Sequence, residues 1–298
     1  MRPPANELGD TRSGLFFALA AYGIWGIAPI YFVWVSFAQP LEVVAHRVVW
    51  GIPLLGLLLL ASGQWRSIKS LAPSAFGYLL VSALCLSINW LTFIYAVQTE
   101  RIAEASLGYF INPLVSIVLG WLFLREQLRP LQWLAVALAL VGVCSELWVR
   151  TNLPWLGLTL ALSFGLYGLL RKQVNVGAVV GLSIETAVVA PFAIGFLFWL
   201  SLHGDARDIG EVLSLGLGGL ITVVPLICFA AAAMRLPLTT LGFVQYLSPS
   251  CALMLAIFVY GEVVPAGRWV TFALIWGALI LFSFEGFYRY RKQRQQPE

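Results

Sequence analysis

A set of polar and aromatic side chains stands inside stretches that carry almost no other charge. His46 and Arg47 are neighbours at the start of one stretch, Glu185 lies within a second, and Glu104 opens a third. An ionised group at the centre of a membrane helix costs about 2.5–3.5 kcal/mol, so such groups mark a substrate or ion path unless they anchor or pair structurally. Arg47 either snorkels to an interface or presents its donors to an anionic or polar group. A histidine such as His46 changes charge near neutral pH. The carboxyl of Glu185 needs a proton or a cation partner, and Arg47 is the candidate partner. Asn112 shares a helical face with Glu104, Gly108, Ser116 and Gly120 at four-residue steps, which suits either cavity lining or close packing through small residues. Asn89 and Gln245 are deep amides, each an interhelical hydrogen bond or a donor to substrate. Tyr22, Tyr167, Trp25, Trp50 and Trp90 can stack on a solute or pack against neighbouring helices.

No catalytic arrangement accompanies these residues. His46 and His203 are far apart, and Cys85, Cys144, Cys228 and Cys251 all fall in apolar runs. That placement argues against a disulfide framework or a metal site. No catalytic residue, metal or cofactor is expected.

The elements that must hold these groups are long apolar runs. The 298 residues are 60% hydrophobic and 11% charged, far too little charge to cover a soluble domain. Residues 13–41, 70–99, 105–124, 151–170, 212–234 and 236–261 contain no Asp, Glu, Lys or Arg. About 20 apolar residues span a bilayer as a helix, and lipid forces the backbone to satisfy itself internally. The pattern predicts an all-α membrane protein with ten spans, at about 14–36, 43–61, 74–98, 103–124, 130–148, 153–170, 179–201, 211–234, 238–260 and 268–288. On alternate sides of these spans fall 13 and 5 Lys or Arg residues, a bias that places both termini in the cytoplasm. That bias also accounts for the positive net charge, so no nucleic-acid partner is expected.

The two halves resemble each other. Pro113, Glu126 and Trp133 recur at one common offset as Pro249, Glu262 and Trp269. Arg101 and Leu107-Gly108 recur as Arg235 and Leu241-Gly242 at a second, slightly shorter offset, and the difference is an insertion of two positions in the ninth span. Gly23-Ile24-Trp25-Gly26 is echoed by Gly165-Leu166-Tyr167-Gly168. Five spans per half make the second copy inverted, an arrangement that puts a substrate site near the midplane. The expected organisation is a cytoplasmic segment 1–13, repeats 14–150 and 151–288, and a basic tail 289–298.

Several strings carry a family resemblance: Ala20 to Gly26, His46 to Trp50, Glu104 to Leu114, Ile184 to Thr186, Leu241 to Tyr246 and Tyr260 to Glu262. Over residues 12–290 the chain resembles the RarD group of the EamA family, in the drug/metabolite transporter superfamily. Arg125-Glu126 departs from the Gly-Glu usual in that pattern. The resemblance implies two five-helix repeats in a bacterial inner membrane and transport, often export, of a small metabolite or drug, with a chloramphenicol link attached to the group. The expected partners are a small-molecule substrate and the lipid bilayer; coupling to a proton or counter-solute, and a homodimer, stay open. A membrane-embedded enzyme or a channel is the alternative, although neither a nucleophile nor a filter segment is visible.

Overall fold

The computed structural model describes residues 5–99, 101–148, 154–174, 176–204, 207–261 and 266–295, and among them every regular element is an α-helix. In chain order these are α1 (Ala5–Trp34), α2 (Pro40–Ala61), α3 (Trp65–Lys69), α4 (Pro73–Gln98), α5 (Ile102–Leu124), α6 (Pro130–Trp148), α7 (Trp155–Gln173), α8 (Ala178–His203), α9 (Ile209–Arg235), α10 (Leu238–Gln245), α11 (Leu247–Phe258) and α12 (Ala266–Gln295). Seven stretches among the described residues are long and apolar enough to cross a membrane, and Pro130–Ser145 and Trp269–Glu285 are shorter apolar ones. The protein is a multi-pass membrane protein.

Local chemistry sets the helix ends. Proline opens α2, α4 and α6, where its missing N–H costs nothing and its fixed φ suits the first turn. Asp208 and Glu211 form a reciprocal capping box at the start of α9. α5 ends on Arg125 at φ +53°. Gly261, which is related to Arg125 by the same offset as Pro249 to Pro113, ends its own helix pair at φ +65°. A left-handed residue with a side chain is strained by roughly 1 kcal/mol. That strain is the physical content of the glycine found here in the family pattern. Arg125→Gly should therefore raise thermal stability in detergent by up to about 1 kcal/mol; an unchanged or lower melting temperature would refute the strain.

The helices mix the two parts of the chain. α1 packs on α9 and α11, α2 on α8 and α9, α4 on α7 and α8, α5 on α7 and α10, and α6 on α12. Contacts among α1 to α6 themselves are sparse. The pairing maps onto itself when α1, α2, α4, α5 and α6 are exchanged with α7, α8, α9, α10–α11 and α12. Small residues permit the close crossings. A Cβ on Gly165 of α7 would meet Val115 Cγ1 of α5 at 2.6 Å, and one on Gly26 of α1 would meet Cys251 Cβ of α11 at 2.5 Å. Val115 and Cys251 are themselves equivalent, at the offset that relates Pro113 to Pro249.

One element differs from expectation. The stretch 238–260 is not one helix but α10 and α11, broken at Tyr246. Pro249 cannot donate to the carbonyl of residue 245 and crowds it; Tyr246 N–H instead reaches back to Phe243 O at 3.2 Å. The two inserted positions lie between Gly242 and Pro249, so the break absorbs them. α7 covers most of the expected stretch 153–170 and adds Arg171, Lys172 and Gln173 at its end. Ten of its nineteen residues, Arg171 included, are buried, because α4, α5 and α9 surround it. Protein covers most of this helix, and Trp155, Leu162 and Leu166 stay exposed on its outer side.

Candidate functional site

Halfway along α9, at Thr222, four helices leave a cavity of about 20 Å³. Its walls come from α2, α4, α8 and α9, and its polar lining is Arg47, Trp90, Glu185, Thr186 and Thr222. α9 joins the two ends of the bundle over about 40 Å, at 1.5 Å per residue, so the cavity sits near mid-depth. The space holds about one water molecule.

Arg47 enters from α2. Its Nε donates to Thr222 Oγ1 at 2.6 Å, and Thr222 Oγ1 donates in turn to Gly218 O at 2.7 Å. The guanidinium carbon lies 5.4 Å from the Trp90 ring centre and 5.5 Å from that of Phe32. Gly218 leaves room for the side chain: a Cβ there would stand 2.7 Å from Arg47 Cγ. Among the described residues no carboxylate lies within ion-pair distance of Arg47, and no acceptor meets its two terminal nitrogens.

Glu185 enters from α8 and is 1% exposed. Ser82 Oγ donates to its Oε1 at 2.5 Å and Tyr167 Oη to its Oε2 at 3.4 Å. The cation beside it is Arg171, whose Nη1 stands 3.7 Å from Oε1. The expected Arg47–Glu185 pair is therefore not formed. Both residues face the same cavity, but Arg171 reaches Glu185 from behind. Sequence alone suggests an interfacial anchor for Arg171, yet it is wholly buried. Its guanidinium fills the space left by Gly181, where a Cβ would collide with Nη1. All three Arg171 nitrogens are buried without a hydrogen-bond acceptor among the described residues. Leaving Arg171 and Arg47 out of the interface count turns 13 against 5 into 12 against 4, so the charge bias stands.

The other candidates lie elsewhere. Asn89 Nδ2 donates to Leu160 O at 2.9 Å and Ser163 Oγ at 3.0 Å, joining α4 to α7. Gln245 accepts from Ser116 Oγ at 3.5 Å between α10 and α5. Asn112 is buried on α5, and neither its Oδ1 nor His46 Nδ1 has a hydrogen-bond partner among the described residues. Tyr22, Trp25 and Tyr167 join Phe164 and Phe229 in an aromatic cluster between α1, α7 and α9. Trp50 lies on the bundle surface at 38% exposed, its ring over Gly216. The side chain of Glu104, and all of Glu262, lie outside the described residues.

Each end of the bundle carries a tie between the two parts of the chain. At one end Arg207, in the loop before α9, holds the buried Glu42 of α2 through two hydrogen bonds of 2.9 Å. Tyr31 Oη donates to Leu215 O at 3.2 Å nearby. At the other end Glu126 accepts from the N–H groups of Leu238 and Thr239 at 2.6 and 2.8 Å, at the electropositive start of α10. Lys172 Nζ lies 4.0 Å from Glu126 and also donates to the carbonyl of Leu236. Neither Glu42 nor Arg207 carries a sequence signal of this role: both sit at segment ends, where charge is ordinary.

Comparison with known proteins bears on this arrangement. Residues 12–145 match the EamA-like transporter family. A protein RarD of Salmonella typhimurium is 46% identical over 290 residues, covering 95% of this chain and 99% of that one. An uncharacterized transporter of Vibrio cholerae is 45% identical over 283 residues, covering 93% and 94%. A chloramphenicol-sensitive protein RarD of Pseudomonas aeruginosa is 33% identical over 291 residues, covering 95% and 97%. Among solved structures, one protein crystal structure superposes with a TM-score of 0.70 at 16% identity, covering 90% of this chain and 96% of that one, a likeness of fold.

Proposed function

This chain belongs to the EamA-like transporter family, within its RarD group, and on that premise we propose a secondary transporter that moves a small metabolite or drug-like solute by alternating access, in the direction of export. The single observation that carries the reading is the mid-depth cavity that Arg47 and Glu185, one from each half of the chain, both line.

Ten crossings arranged as two inverted repeats, residues 14–150 and 151–288, fit this reading. The helix pairing that survives exchange of the halves and the equivalent left-handed residues Arg125 and Gly261 support it. The bias of basic residues supports an inner-membrane protein with both termini in the cytoplasm. The cavity takes about one water while small-molecule sites need about 300 Å³ or more, so this conformation has no room for a solute. Transport then requires the Glu42–Arg207 tie and the Glu126 tie to open in turn. A proton gradient would act through Glu185, the carboxyl on the cavity wall.

The test is flux in proteoliposomes across a panel of metabolites and antibiotics that includes chloramphenicol, with and without a pH gradient. At least one compound should show saturable flux that Arg47→Ala reduces by tenfold or more, roughly the loss of a charged hydrogen bond. If no compound moves, and Arg47→Ala and Glu185→Gln leave cells unchanged, the reading fails.

A further inference from the structure

Among the described residues the charges around the cavity do not balance. Arg171 stands behind Glu185 and cancels it, so the cavity wall is left with the charge of Arg47. Two other described carboxylates are engaged at the ends of the bundle, Glu42 by Arg207 and Glu126 by Lys172 and the start of α10. A guanidinium stays protonated in proteins and presents a planar fork of donors suited to a carboxylate. Among the described residues only Nε of Arg47 is used, by Thr222. The rings of Trp90 and Phe32 lie near the same group; they attract the cation without neutralising it. Apart from the hydroxyl of Thr186, the rest of the cavity wall is aliphatic, with Leu86, Val189 and Leu226 among its residues.

We propose that the transported solute is a small organic anion, with a carboxylate or another singly negative group on the terminal nitrogens of Arg47 and an apolar body against Trp90. This rests on the transporter reading above and names the chemistry of its cargo. It also assigns two roles to two arginines that composition cannot separate. Arg171 is the internal counter-cation that keeps Glu185 from repelling an anion, and Arg47 is the group that receives it. The closed cavity is then the form without cargo, and the anion enters as the halves part.

Three probes of nearly one shape and different charge test the idea: benzoate, benzamide and benzamidinium, added at millimolar concentration and pH 8 to the purified full chain in detergent. A ligand that binds the folded state raises the melting temperature. Benzoate should raise it, benzamide and benzamidinium should not, and chloride or sulfate at equal ionic strength should not reproduce the shift. Arg47→Gln should weaken benzoate binding by roughly tenfold or more, as expected for a charged hydrogen-bonded pair. Arg47→Lys should keep part of it, and its unliganded melting temperature guards against a folding defect. Equal stabilisation by the neutral or cationic probe, by inorganic anions, or by benzoate in Arg47→Gln would overturn the proposal, as would no shift with any probe. The flux panel judges the transporter reading separately, because a neutral or cationic solute moving through the protein would retain transport while removing the anion.

Discussion

Glu185→Leu should sharply lower the amount of folded protein recovered from the membrane, and adding Arg171→Met to the same chain should restore most of it. The single change removes the only carboxylate beside a guanidinium that is 0% exposed and has no other acceptor among the described residues. Breaking a buried ion pair from one side costs about 3–5 kcal/mol, whereas replacing both partners with apolar groups is often neutral or favourable. Against a total stability of about 5–15 kcal/mol, the single loss is severe. Size-exclusion profiles and melting temperatures in mild detergent read the effect. The double variant also separates structure from function. If Glu185 serves only to hold α7 against α8, the refolded double variant will transport normally. The cavity reading expects it to be stable and inactive. Equal recovery of the single and double variants would show that the pair is not the buried couple described above.

Gly242→Val should destabilise the protein by about 1–3 kcal/mol, the usual range for overpacking, while Gly195→Val should change little. A Cβ at Gly242 would stand 2.7 Å from the carbonyl oxygen of Pro113 and 2.9 Å from Ile117 Cγ1. Backbone of α5 is in the way, and only separation of α5 from α10 relieves the contact. At Gly195, in an equally apolar helix, nothing lies within 4 Å of the added carbon. Comparable melting temperatures for the two valine variants would mean that the α5–α10 crossing is looser than described. Because α5 and α10 carry equivalent Leu-Gly pairs, this crossing lies where the two halves pivot in the proposed mechanism, and the defect should reach flux as well.

The positions of the helices could be read from the sequence because lipid imposes one rule on every apolar run: satisfy the backbone within the segment. The same rule is silent about neighbours. Arg171 looks like an anchor because it follows an uncharged stretch, and only the envelopment of α7 by α4, α5 and α9 turns it into a buried counter-ion. Arg47 and Glu185 could be assigned to one cavity from the repeat, but their pairing could not, since lateral distances do not follow from spacing. The break at Tyr246 was half legible. Pro249 and the shift in offset both mark it, for two extra residues would rotate a helix by about 200°. A continuous helix would therefore have turned either Gly242 or Pro249 away from its face. Asn89 and Gln245 illustrate the limit: an amide in an apolar run announces a hydrogen bond and says nothing about whether its partner is a helix or a solute.

The sparse contacts among α1 to α6 have a consequence for how the chain is made. When the ribosome has delivered only those helices to the membrane, nearly all of their eventual partners, from α7 onward, have yet to be synthesised. Arg47 and Ser82 are then in the bilayer without Thr222 and Glu185. The newborn half must wait as a loose set of spans, shielded by the insertion machinery or by lipid, until its counterpart threads between them. Assembly is interlocking rather than modular, and the late helices act as the template on which the early ones settle.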